Sequence, residues 1–278
     1  MTWLQGGYND WFSVSVSESK FQLKFNCRAS LLYQNFDDAA TDAAQLLYKE
    51  WGDRPLYLAL SGGIDSEFVA RILVKNNIPF TPIILKIENI NDHESWYAEY
   101  WCHCNSIEPI ILNYTIDEYA NQMVVLFRKL QQIKNFNMTS PLLIYEHAHQ
   151  LGGHAIFCGG DINLDPATKK FYCRSLDFLS NLVDVGRHPT SFFMYTPELA
   201  LSYINQFDVT QSEQYNKLSF YRVAPRPKIN YVPMLRENPQ YQIYMEKLSY
   251  LLKINVFSLS RDNFWYGTKE QLLQNLQP

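Results

Sequence analysis

The chain has 278 residues, 47% of them hydrophobic and 19% charged, with a net charge of −4. That length accommodates one large domain, or one domain with a modest second one, and the small acidic surplus excludes a global field drawing the chain to nucleic acid or an anionic membrane. The five cysteines (Cys27, Cys102, Cys104, Cys158, Cys173) follow no disulfide framework, "MTWLQGGYNDWF" lacks the basic start and apolar run of a secretory leader, and no stretch approaches the roughly 20 apolar residues of a membrane span, so the expectation is a soluble, cytoplasmic protein with reduced thiols.

In chain order, residues 12–26 (FSVSVSESKFQLKFN) alternate apolar and polar on both sides of SESK and predict a β-hairpin. From Asp37, DDAATDAAQLLYKEW places acids in a first turn and apolar residues at helical spacing, then stops at GDRP before the strand LYLAL, 56–60. EFVARILVKNN predicts a helix, FTPIILKIE a buried strand, DHESWYAEYWCHCNS a helix and EPIILNYT a third strand. Two more helices follow in IDEYANQMVVLFRKLQQIKNF and SPLLIYEHAHQLG, then the short strand HAIFCGG. Strands alternating with helices predict an α/β fold, a parallel sheet covered on both faces. Beyond about residue 175 helices dominate: TPELALSYINQF has Thr196 as cap and Pro197 in its first turn, and QYQIYMEKLSYLLK is helical too. The expected organisation is an N-terminal hairpin extension (1–35), a nucleotide-binding core (36–175) and a mostly helical C-terminal substrate region (176–278).

The stretch LYLAL-SGGIDS-EFVARIL carries the chemistry. The strand ends at the sheet's carboxyl edge, where ligands bind in open α/β folds. Gly62 and Gly63 let the backbone turn and approach a ligand, the following helix aims its free N–H groups at the same point, and Ser61 and Ser66 add hydroxyls. Asp65 would repel a bare phosphate, but it becomes a ligand once Mg²⁺ lies between them, so the loop suits a metal-bound polyphosphate. A purely structural turn with Asp65 as a cap uses the same residues. Against it, five specified residues coincide by chance in roughly one chain per few thousand, and here they fall between a strand and a helix. GxxxxGK[ST] and a GxGxxG after a strand are both absent.

SGGIDS resembles the PP-loop signature SGGxDS of the N-type ATP pyrophosphatases, over residues roughly 37–165. That resemblance implies an adenine nucleotide alpha hydrolase-like, Rossmann-like core. It also implies ATP with its β,γ-pyrophosphate held by Ser61, Gly62, Gly63, Ile64, Asp65 and Ser66 together with Mg²⁺. An acceptor oxygen would attack the α-phosphorus, pyrophosphate would leave, and ammonia or another amine would displace AMP. In relatives, backbone groups of the next strand recognise adenine, which falls here on Leu85, Lys86 and Ile87. GGHAIFCGGDINLD (152–165) resembles the corresponding strand and loop of asparagine synthetases; Gly159 and Gly160 become nucleotide contacts, and Asp161, with Asp165 behind it, a second metal or pyrophosphate contact. Ile162-Asn163-Leu164 departs from that loop and puts aspartate as substrate in doubt. Relatives place a C-terminal lysine near the α-phosphate; among Arg222, Arg226 and Lys228, Lys228 is the candidate.

Thr2, where asparagine synthetases carry their glutaminase cysteine, and the short stretch before the loop leave ammonia, an amine or a separate glutaminase as nitrogen source. The remaining partner is a small-molecule acceptor, with a homodimer possible through the hairpin, which otherwise serves as a lid. WCHCN (101–105) and EHAHQ (146–150) do not present their ligands on one helical face and read as structural helices. Cys158 is either a buried small side chain or a sulfur carrier, as in tRNA-thiolating PP-loop enzymes. Trp265 and Tyr266 read as docking aromatics. Two alternatives stay open: a tRNA- or nucleobase-modifying enzyme of thiolation or deazaguanine type, and a nucleotide-binding protein without turnover.

Overall fold

The computed structural model describes residues 3–16, 21–130, 139–158, 162–173, 189–224, 239–252 and 264–278. The chain begins with strands β1 (Trp3–Gly6), β2 (Phe12–Val16) and β3 (Phe21–Phe25), paired antiparallel in that order. The hairpin read from residues 12–26 is thus the second half of a three-stranded meander. Next come α1 (Phe36–Trp51), capped by the Asn35 side chain, then β4 (Leu56–Ala59), α2 (Ile64–Lys75), β5 (Thr81–Ile87), α3 (Asp92–Cys104), β6 (Ile110–Tyr114), α4 (Ile116–Leu130), α5 (Thr139–Gln150) and β7 (His154–Phe157). The later elements are β8 (Ile162–Leu164), β9 (Lys170–Cys173), β10 (Thr190–Ser191), α6 (Pro197–Gln206), α7 (Glu213–Tyr221), α8 (Pro239–Leu252), β11 (Phe264–Thr268) and α9 (Lys269–Leu276).

The main sheet has the order β10-β7-β4-β5-β6 with every pair parallel, which is the α/β arrangement expected. Successive strand residues point to opposite faces, and both faces are buried. Leu58, Ile84 and Ile156 enter one core with α1, α2 and α6, while Tyr57, Ile83, Leu85 and Phe157 enter a second with α4, α5 and α8. This explains why the strands read as continuous apolar runs. After β6 the chain returns to the far side of β4, so the direction of strand succession reverses at β4, the kind of place where open α/β sheets bind ligands at their carboxyl ends.

The region beyond residue 175 supplies more than helices. Residues 190–191 add the edge strand β10 to the parallel sheet, and β11 pairs antiparallel with β9, which pairs with β8. In the first core Phe36, Phe68, Phe193, Tyr203, Phe220 and Tyr221 form a continuous ring cluster. Trp11 joins the N-terminal meander to this body by donating from Nε1 to the Met194 carbonyl at 2.9 Å.

Candidate functional site

At the carboxyl end of β4, Leu60 N–H still donates to Ile83 O at 3.0 Å, so the chain leaves the sheet only at Ser61. Gly62 then takes φ 85°. A Cβ there would lie 1.9 Å from the Glu94 carbonyl oxygen, so the turn is pressed against the backbone of α3 and accepts only glycine. Gly63 differs: it is extended, at φ −72° and ψ 159°, and precedes α2 without any side-chain cap. A Cβ on Gly63 would approach only Ser61 Oγ, at 3.4 Å, which marks the open side of the loop.

The two serines hold the loop's shape. Gly63 N–H donates to Ser61 Oγ at 3.3 Å, Ser66 Oγ donates to Gly63 O at 3.0 Å, and the two hydroxyl oxygens are 3.2 Å apart. A tight glycine turn, an N-terminus uncapped by any side chain and paired hydroxyls converge at a topological switch point. This arrangement can take an anion.

Asp65 is held from far along the chain. Tyr221 Oη donates to its Oδ1 at 2.8 Å, while Lys217 Nζ lies 3.1 Å from Oδ1 and 3.3 Å from Oδ2. Both partners come from one face of α7, four residues apart. Lys217 also pairs with Glu213 at 3.2 Å, and its side chain is only 6% exposed against 28% for Asp65. The Tyr221 ring stacks on Phe68 of α2 at 4.4 Å, and Arg71 donates to the Arg222 carbonyl at 3.2 Å, so α7 is fastened along α2.

The end of β5 is also engaged. Asn91 accepts from Ile87 N–H at 2.7 Å and donates from Nδ2 to Leu85 O at 2.8 Å. The backbone groups read as an adenine contact are therefore bonded to a carboxamide. Lys86 pairs with Glu99 at 2.8 Å and lines a cleft of about 290 Å³ with Glu88, Asp92, Asn113 and Glu118 at the carboxyl ends of β5 and β6. Burial pushes the Glu94 carboxyl above the usual carboxylate range.

Of the residues expected at the site, Ser61, Gly62, Gly63, Ile64, Asp65 and Ser66 lie together, with the β5 end of Leu85, Lys86 and Ile87 on the neighbouring strand. Gly159, Gly160, Asp161, Arg226 and Lys228 lie outside the described residues. Arg222 is the exposed left-handed cap of α7. Ile162-Asn163-Leu164, unusual as a loop, is the buried strand β8. Asp165 closes the β8–β9 turn, accepting from Ala167 N at 3.1 Å and Thr168 Oγ1 at 2.6 Å. These bonds hold its carboxyl below the usual range. Cys158 is buried in the first core, to which Ile162 and Leu164 also belong.

The motifs of the sequence do not single out Lys217 and Tyr221. Their signal was the cap residue Ser212 followed by a helix-length run, which puts both side chains on one face; Ser212 Oγ does accept from Tyr215 N–H, at 3.1 Å. Among the described residues, no group of three or more His, Cys, Asp or Glu is arranged to hold a metal. The oxygen donors at the loop, the Asp65 carboxylate beside the Ser61 and Ser66 hydroxyls, are the hard type that Mg²⁺ accepts.

Fold and loop together define a parallel α/β chain with an anion-accepting strand–glycine turn–helix at its switch point. No family model matches the sequence, and no curated protein does. Among solved structures the chain is similar to the NMN synthetase of Francisella tularensis, at 13% identity over 78% of this chain and 97% of that one, with a TM-score of 0.36. It is similar to the NH3-dependent NAD synthetase of Campylobacter jejuni subsp. jejuni NCTC 11168 in complex with nitrate, at 16% identity over 78% and 93% of the chains and a TM-score of 0.36. It is also similar to the glutamine-dependent NAD+ synthetase of Acinetobacter baumannii in complex with ADP, at 11% identity over 91% of this chain and 46% of that one, with a TM-score of 0.37.

Proposed function

We propose that the chain is a PP-loop ATP pyrophosphatase, an ATP-dependent ligase that forms AMP and pyrophosphate. The observation carrying this reading is the SGGIDS loop at the carboxyl end of the central strand, with Gly62 wedged against α3 and Gly63 open to a ligand. The loop amides and the hydroxyls of Ser61 and Ser66 receive the β,γ-pyrophosphate of ATP. An acceptor oxygen bonds to the α-phosphorus as the bond to pyrophosphate breaks. Ammonia or another amine then forms a C–N bond as AMP leaves with the C–O electron pair, and the amine's proton passes to solvent. Mg²⁺, held by Asp65 and by Asp161, would neutralise the leaving pyrophosphate. Leu85, Lys86 and Ile87 border the adenine, Gly159 and Gly160 the polyphosphate, and Lys228 faces the α-phosphate. Catalysis is then mostly positioning and charge stabilisation. Closer kinship, to the asparagine synthetase catalytic domain, rests on the 152–165 segment. A cytoplasmic location fits this chemistry.

The test is ATP turnover with Mg²⁺ and ammonium over a panel of carboxylate, amide and nucleobase acceptors, extended to precursors of NMN and NAD, the products for which the similar structures are named. Acceptor-dependent AMP and pyrophosphate are expected. ADP and phosphate would overturn the reading, and ATP binding without turnover would favour a nucleotide-binding protein that is not an enzyme.

A further inference from the structure

We propose that Lys217 and Tyr221 form a latch on Asp65, and that the Lys217 ammonium and a magnesium ion exclude one another there. This rests on the PP-loop reading and adds to it a control over when the loop's carboxylate is available. Lys217 approaches both Asp65 oxygens, at 3.1 and 3.3 Å, and Tyr221 donates to Oδ1 at 2.8 Å. A cation stands against the loop's carboxylate, and the Lys217 side chain is only 6% exposed, so solvent screens the pair little. An incoming hard cation must take Asp65 from Lys217.

Two features let the exchange run without stranding a buried charge. Glu213, one helical turn before Lys217, lies 3.2 Å from the same ammonium and remains its partner when Asp65 turns away. The Tyr221 ring is packed independently of its hydroxyl, stacked on Phe68 at 4.4 Å and next to Phe193 at 5.8 Å. Helix α7 therefore stays docked while its polar contacts to Asp65 open. Lys217 is a positioning residue in this scheme: it acts through Asp65.

The latch lowers apparent metal affinity by the fraction of chains in which Asp65 is released. The experiment measures ATP binding by calorimetry at increasing free Mg²⁺, and reads the Mg²⁺ midpoint. In Lys217→Gln the midpoint is expected to fall, by about tenfold if Asp65 is released in about a tenth of wild-type chains. Tyr221→Phe, which keeps the ring and its packing, is expected to move the midpoint the same way by less. Lys217→Arg, which keeps a cation, is expected to hold it near wild type. A role confined to docking α7 would lower thermal stability in all three without lowering any Mg²⁺ midpoint. An unchanged or raised midpoint in Lys217→Gln and Tyr221→Phe, with wild type still binding ATP, overturns the latch alone; failure of wild type to bind ATP at any Mg²⁺ concentration overturns the PP-loop reading and the latch with it.

Discussion

The two glycines of the loop separate what the fold requires from what a ligand requires. At Gly62, a Cβ would lie 1.9 Å from the Glu94 carbonyl oxygen on a backbone already at φ 85°. Neither atom is the end of a flexible side chain, so α3 and the loop must move apart. Gly62→Ala is expected to cost about 2 kcal/mol or more of stability. At Gly63 the backbone suits any residue, and the nearest atom is the Ser61 hydroxyl at 3.4 Å. Gly63→Ala is expected to change stability by no more than about 0.5 kcal/mol, yet to weaken ATP binding because its methyl stands where the polyphosphate approaches. Urea unfolding midpoints beside ATP titrations of both variants check this. Equal destabilisation by the two would show that Gly63 serves the fold alone.

At the scale of elements, the β4–loop–α2 unit was legible because its determinants are local: an apolar run, two glycines, two serines and an amphipathic helix within residues 56–73. The contact that completes it was not, since Lys217 lies 152 residues from Asp65 and nothing in SEQYNKLSFY says which carboxylate its lysine will meet. Strand β8, expected as a loop, is hidden in the sequence for a similar reason: INL is too short to show a period, and its partner strand is set by the Asp165 turn. The β5 end shows how a short side chain finishes an element. Asn91 satisfies Ile87 N–H and Leu85 O together, the two groups facing the gap past the end of β4. Asn91→Ala leaves both without that partner and is expected to cost about 1–3 kcal/mol. If ATP uses the same two groups, saturating ATP restores more melting temperature to the variant than to wild type. Equal ATP shifts would place the adenine elsewhere on the sheet edge.

Over the whole molecule, the two ends of the chain close one core with the site. Helix α9 begins with a capping box between Thr268 and Gln271 and buries Leu272 and Leu276, each 1% exposed, in the same core as the Phe36–Phe68–Tyr221 cluster beneath the loop. Its Leu276 carbonyl accepts from Ala29 N–H at 2.9 Å, and Lys269 Nζ donates to the Asn205 and Phe207 carbonyls at 2.7 and 2.9 Å. One short helix thus joins the segment after the N-terminal meander to the end of α6. Losing two buried leucines costs about 2–5 kcal/mol each, a large share of the roughly 5–15 kcal/mol that holds a domain folded. Deleting residues 269–278 is therefore expected to abolish cooperative unfolding and ATP binding together, as read by circular dichroism melts and calorimetry. Leu276→Ala alone should lower the melting temperature while leaving ATP affinity near wild type, because α9 packs chiefly on α6 and β11 rather than on the helices that carry Asp65 and Lys217. A deletion variant that melts cooperatively near the wild-type temperature would show that the core beneath the loop stands without its C-terminal closure.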